Sequence, residues 1–173
     1  MDARLAWLNS LSADEAAQEL LKTCGSKRWA REMADARPYS TLETLLATAN
    51  DVWCSLDQSD WHEAFRSHPK IGEKKAAGKV SAQSQQWSGQ EQSGVANASQ
   101  ETVSTLASLN HEYEQKFGYI FIICATGKTS DEMLSALRER LQHDPETELP
   151  VAGAEQSKIT ELRLRKMLQS DWN

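Results

Sequence analysis

No stretch of this sequence comes near the roughly 20 consecutive apolar residues that a membrane span requires. The opening MDARLAWLNSL carries one arginine and no apolar run of signal-peptide length, and the closing SDWN has no peroxisomal SKL-type address. A soluble, cytoplasmic chain with no membrane partner is expected. Basic residues are outnumbered, 19 Lys plus Arg against 25 Asp plus Glu for a net charge of -6, which argues against nucleic acid as the main partner. Cys24, Cys54 and Cys124 are odd in number and widely spaced. Neither a disulfide framework nor a CxxC-type metal or redox site fits them, and buried, reduced thiols are expected. The four histidines, His62, His68, His111 and His143, include no HExxH, no i, i+4 pair and no neighbouring cysteine, so no metal site is expected.

Phe, Tyr, Val and Ile are also scarce, whereas Ala, Leu, Glu, Gln, Lys and Arg dominate, a helix-forming composition. Four hydroxyl residues precede a glutamate by three positions: Ser12 and Glu15, Ser40 and Glu43, Ser88 and Glu91, Thr129 and Glu132. Each has the spacing of a capping box and predicts a helix start. Ala16, Ala17, Leu20, Leu21 and Cys24 form an i, i+4 stripe that Gly25 can stop. Trp29 and Met33 mark a short helix ended by Pro38. Leu42, Leu45, Leu46, Ala49, Val52 and Trp53 mark another. The helix containing Trp61, Ala64 and Phe65 must end near Ser67, because Pro69 pushes His68 out of the α region.

Residues 72–92 are rich in Lys, Ala, Gly, Ser and Gln, with Val80 and Trp87 as their large apolar anchors, and predict a surface excursion. Beyond them, Val103, Leu106, Leu109, Tyr113 and Phe117 predict a long helix capped by Gly118. YIFIICA, residues 119–125, reads as a strand by propensity, yet no second such run exists to pair with it. It must be a buried extended segment or a helical turn whose backbone groups find other partners. Met133, Leu134, Leu137 and Leu141 give a further helix. Asp144 and Pro145 open the last one, with Ile159, Leu162 and Met167 on its apolar side. The expectation is a single all-α domain, residues 1–173, a helical bundle of about eight helices. A bundle by itself specifies no function.

Among candidate chemical groups, Gly127-Lys128-Thr129 has the tail of a P-loop without its upstream glycine, so a loop and helix cap is preferred. Cys124 has apolar flanks, which raise a thiol pKa and disfavour a nucleophile. His68 sits where a helix gives way to a restricted X-Pro bond, a mount suited to a general acid, and Gly72 allows close approach of chain or ligand. The plainer reading, a helix-terminal histidine favoured by the macrodipole, is preferred on spacing alone. Likewise Glu91 reads as the reciprocal partner of Ser88 in a capping box, and Arg163 as a solvated cation near a helix C-terminus.

Four segments, HPKIG at 68–72, SGQEQSG at 88–94, YEQKFGYIFIICATGKT at 113–129 and ELRL at 161–164, resemble in order and spacing the motifs of 2-oxo-4-hydroxy-4-carboxy-5-ureidoimidazoline (OHCU) decarboxylases. The resemblance covers nearly the whole chain. It implies an all-α fold, usually a homodimer, that produces S-allantoin in purine degradation and uses no cofactor. His68 matches the catalytic histidine and proton donor, with Pro69 beside it in the pocket. Glu91 with Gln92 matches the EQ pair, which together with Ser88 contacts substrate. Phe121, Ile122, Ile123, Cys124 and Ala125 match a pocket wall whose backbone binds the ureido and ring amides. Arg163 matches an arginine that faces the substrate.

Two positions depart from the pattern: Lys128 stands where many members have arginine, and Pro150 falls at the start of the final helix. The implied chemistry needs stabilisation of the charge left by departing CO2 and a proton delivered to one face. A histidine, ordinarily titrating at about 6.5, can supply that proton at neutral pH. Two other readings stand beside this one: a non-catalytic helical binding module, and a hydrolase acting on the ureido group of a related compound.

Overall fold

In a computed structural model, residues 3–72 and 81–169 are described. The Val80 anchor and the closing SDWN lie outside them. Among the described residues the protein is all-α, with nine α-helices, one 3-10 turn and no strand. The helices are α1 (Ala3–Ser10), α2 (Ala13–Cys24), α3 (Lys27–Asp35), α4 (Leu42–Ser55), α5 (Gln58–Arg66), α6 (Ala82–Glu91), α7 (Gln100–Phe117), α8 (Ser130–Arg140) and α9 (Pro145–Gln169), with the 3-10 turn at Ser93–Val95 between α6 and α7. No described helix is long and apolar enough to cross a membrane. The described residues group into two compact units, 1–64 with 157–173, and 65–156, so that α5 and α9 each supply residues to both.

In the first unit the expected capping box forms at α2, where Ser12 accepts from the N–H of Glu15 and Glu15 accepts from that of Ser12. Gly25 closes α2 at φ 90°, the left-handed cap that its position predicts. At α4 the predicted start shifts by one residue. Thr41, not Ser40, accepts from the backbone N–H of Thr44 at 3.1 Å and becomes the cap. Leu5, Leu8, Leu20, Trp29, Met33 and Leu45 form the core of this unit, and Trp29 Nε1 donates to the carbonyl of Ala49 at 3.1 Å, tying α3 to α4. Cys24 is fully buried and burial pushes its thiol up to about 12. Cys54 is exposed, a correction to the expectation of buried thiols: it falls on the outer side of α4, one position past the inward Trp53.

The second unit is built around α7. Its residues Asn110 and Tyr113 are buried, and Gly118 caps it at φ 81°. Tyr113 packs on Tyr119 and Phe121 with ring centroids 5.9 and 5.3 Å away, and Phe65 packs on Tyr119 at 5.3 Å. Edge-on and tilted pairs of this kind contribute about 0.5–1.5 kcal/mol each beyond area burial. Thr129 and Glu132 form the second expected capping box, at α8, so the P-loop-like tail is a helix cap. Asp144 Oδ1 accepts from the N–H of Thr147 at 2.8 Å and Pro145 occupies the first position of α9, both as predicted. Pro150 lies inside α9, where it withholds one helical N–H.

Candidate active site

Helix α5 ends at Arg66 and the N–H of His68 donates to the carbonyl of Phe65 at 3.2 Å, so the chain turns out of the helix just before Pro69. The imidazole is 7% exposed. Its Nε2 lies 2.7 Å from Oε1 of Gln156, a fully buried side chain on α9. An amide oxygen only accepts, so this bond forms in the tautomer that carries a proton on Nε2. The residues after Pro69 are fixed from three directions. Lys70 pairs with Glu114 at 2.6 Å, the Ile71 carbonyl accepts from Asn110 Nδ2 at 3.2 Å, and the N–H of Gly72 donates to Oε1 of Gln92 at 3.0 Å. Asn110 and Glu114 are one turn apart on α7, so a single helix face holds Lys70 and Ile71, and Gln92 holds Gly72.

The structure corrects the reading of SGQEQSG as a helix start and, over 81–92, the expectation of a plain surface excursion, of which residues 73–80 lie outside the described residues. Helix α6 begins earlier, capped by Ser81 through the N–H of Ser84 at 3.1 Å. Ser88 and Glu91 are therefore in its last turn, and Ser84, Trp87, Ser88 and Glu91 form its buried face. The i, i+3 spacing of Ser88 and Glu91 is a helical neighbour relation here, not a capping box. Glu91 is 7% exposed. Gln92 caps α6, its N–H donating to the Ser88 carbonyl at 3.1 Å, while its side-chain oxygen holds Gly72.

Phe121, Ile122, Ile123, Cys124 and Ala125 are all buried in neither helix nor strand, the extended alternative that the sequence leaves open. Side chains supply their backbone partners. Arg140 Nη1 donates to the Ile122 carbonyl, Glu155 accepts from the Cys124 N–H at 2.7 Å, and Lys128 Nζ donates to the Cys124 carbonyl at 3.0 Å. The Lys128 N–H also closes a turn onto the Ala125 carbonyl at 3.0 Å. Arg140 is in turn neutralised by the fully buried Glu148, which accepts from Tyr113 Oη and lies 2.7 Å from His143 Nδ1. Burial pushes the Cys124 thiol up, reinforced by Glu155 and more weakly by Glu91 and opposed by Lys128. Burial and Glu155 thus both disfavour the thiolate.

Within residues 65–156, contacts thus join the three motifs, Gln92 to Gly72 and Gly94 against the backbone of Lys128, while the charge of Glu91 acts on Cys124. Arg163 belongs to the other unit, on α9. It is 2% exposed and its charge lowers the pKa of the Cys24 thiol against the larger effect of burial. The solvated-cation reading is corrected: Arg163 shares the inward stripe of α9 with Ile159 and Met167. Sequence reasoning missed Gln156, Glu155 and Arg140. For Gln156 a signal existed, a polar residue in step with Ala152 and Ile159 on an apolar stripe.

The OHCU decarboxylase family model matches residues 9–165. A uric acid degradation bifunctional protein of Arabidopsis thaliana is 40% identical over 145 residues, 83% of this chain and 44% of that protein. A corresponding bifunctional protein of Bacillus sp. (strain TB-90) is 28% identical over 98% of this chain and 33% of its own length. The chain therefore spans a third to less than half of these relatives. The 2-oxo-4-hydroxy-4-carboxy-5-ureidoimidazoline decarboxylase of Amia calva is 31% identical over 77% of this chain and 75% of its own. A crystal structure of OHCU decarboxylase in the presence of (S)-allantoin superposes with a TM-score of 0.76 at 38% identity, covering 88% of this chain and 98% of that one. By the extent of the family match and by these likenesses in sequence and fold, the chain belongs to the OHCU decarboxylase family.

Proposed function

We propose that this protein decarboxylates 2-oxo-4-hydroxy-4-carboxy-5-ureidoimidazoline to S-allantoin in urate degradation, with His68 as general acid. The observation that carries the proposal is the His68 mount: an imidazole 7% exposed, set by the Phe65 carbonyl, the X-Pro bond and Gln156. Such fixation is what stereospecific proton delivery requires. The C–C bond to the carboxylate breaks, CO2 departs, and the electron pair enters the conjugated imidazoline before taking a proton on one face. Stabilising that developing charge is the other task of the site.

Glu91 orients the donor or accepts a substrate hydroxyl or amide proton, and Arg163 holds a charged or carbonyl oxygen of the substrate. These roles are supported by the motif resemblance and by the burial of both side chains. Ser88, Pro69, Gln92 and the backbone of residues 121–125 contact substrate in this reading. The family match across residues 9–165 supports one catalytic domain, and the motif resemblance implies action without a cofactor. A cytoplasmic homodimer follows from the resemblance, and light scattering coupled to gel filtration tests the dimer.

The activity is tested by turnover of freshly generated substrate followed by circular dichroism, which reports rate and handedness together. S-allantoin accumulating faster than in the uncatalysed control is the expected result. Release of ammonia or urea in place of CO2 identifies a ureido hydrolase, and no turnover from a folded protein identifies a binding module. Either outcome overturns the proposal.

A further inference from the structure

We propose that Gln156 is the positioning residue of His68: its carbonyl oxygen holds the proton of Nε2 throughout the cycle, so the proton given to substrate leaves from Nδ1. This rests on His68 being the general acid. The two residues are 88 positions apart in the chain, and their bond, 2.7 Å between Nε2 and Oε1, joins side chains of 7% and 0% exposure. A fully buried carboxamide must satisfy its polar atoms inside the protein, so its orientation is fixed by its surroundings and is transmitted to the ring.

The two nitrogens of a histidine are chemically distinct, and the hydrogen bond made by one decides what the other does. In the imidazolium form both carry protons. Delivery from Nδ1 forms a bond from the substrate's electron pair to that proton, and the N–H electrons remain on the ring as the Nδ1 lone pair. What is left is the neutral Nε2–H tautomer, the form that the Gln156 oxygen stabilises. Solvent then returns a proton to Nδ1. An amide oxygen has no proton to exchange at neutral pH, so Gln156 cannot short-circuit the transfer. The adjacent residue strengthens the geometric case. Glu155 accepts from the Cys124 N–H at 2.7 Å, so consecutive positions on one helix set both the ring and the candidate pocket wall.

The test is the histidine 15N spectrum of the wild-type protein above the titration of its imidazoles, with the His68 signals assigned by their loss in His68→Asn. A pyrrole-type signal at Nε2 and a pyridine-type signal at Nδ1 are expected, and the reverse pattern overturns the inference without reference to activity. In Gln156→Met, of similar size but without an acceptor, the tautomer preference should relax. Its kcat should fall about ten- to a hundredfold, the range for losing one hydrogen bond to a charged group, with KM little changed. Unaltered kcat and tautomer in a folded Gln156→Met also overturn it. Should that variant not fold, the wild-type spectrum decides. Failure of the parent reading looks different: His68→Asn keeps turnover while the Nε2–H tautomer is still seen.

Discussion

The Cα of Gly94 faces the backbone of Lys128 so closely that a methyl group there would lie 2.0 Å from the Lys128 carbonyl oxygen and 3.3 Å from Met133 Cε. Backbone, unlike a flexible side-chain tip, yields only by moving the segment that carries it. Gly94 closes the motif containing Glu91 and Gln92, and Lys128 follows residues 121–125. The glycine therefore fixes how near two candidate substrate-contacting segments come.

Gly94→Ala should destabilise the protein by about 1–3 kcal/mol, the usual cost of overpacking, and lower kcat/KM as the two segments part. Gly89→Ala is the matched control. Nothing lies within 4 Å of a Cβ at that position, inside α6, so it should stabilise by about 0.5–1 kcal/mol. Thermal melts of both variants check the contrast, and equal effects would remove the steric account.

His68→Ala and His68→Asn should each lower kcat by about two to four decades if the ring is the general acid. Far-ultraviolet circular dichroism should be unchanged. Near-wild-type turnover in either variant would return His68 to its plainer role at a helix end.

What the sequence disclosed follows the range of the interactions. The boxes at Ser12 and Glu15 and at Thr129 and Glu132 are complete within four residues, and both formed. The prediction at Ser40 slipped because Thr41 offers the same hydroxyl one position later. That at Ser88 failed because a three-residue separation describes helical neighbours as well as a cap and its partner, and Ser81 had already started the helix. Helix α1 was not predicted at all. YIFIICA showed its burial through composition, but its partners Arg140 and Glu155 come from distant helices. The bond from Gln156 to His68 is likewise invisible to any local pattern. His68 and Glu91 became candidates through motif resemblance, while local spacing favoured bland roles for both.

Cys24 gives a prediction for alkaline stability. Burial raises its thiol from 9.0 to about 12 in the fold. A group whose folded pKa is raised stabilises fully below its unfolded pKa, and that contribution is lost as pH climbs toward the folded value. Stability should thus decline between about pH 9 and 12, with one proton's worth of slope assignable to this residue. Cys24→Ala should lose stability at neutral pH through its smaller volume but show a shallower fall over the same window. Denaturant titrations at several pH values would measure the difference, and parallel pH dependences would show that Cys24 does not contribute.

Glu91→Gln separates proton chemistry from packing now that the capping role is gone. Glu91 ends α6 at 7% exposure, so Glu91→Ala, which empties a buried position, should cost about 1–3 kcal/mol. Glutamine keeps the volume and one acceptor oxygen but loses the charge. If the carboxylate orients the donor or takes a substrate proton, Glu91→Gln should keep its melting temperature while kcat falls sharply. A second readout is independent of turnover. Because the charge of Glu91 helps raise the Cys124 thiol, removing it should let that thiol titrate at lower pH, measured by alkylation rate against pH with Cys24 and Cys54 replaced. A shifted Cys124 titration with full turnover would make Glu91 an electrostatic neighbour of residues 121–125, leaving the proton transfer to His68.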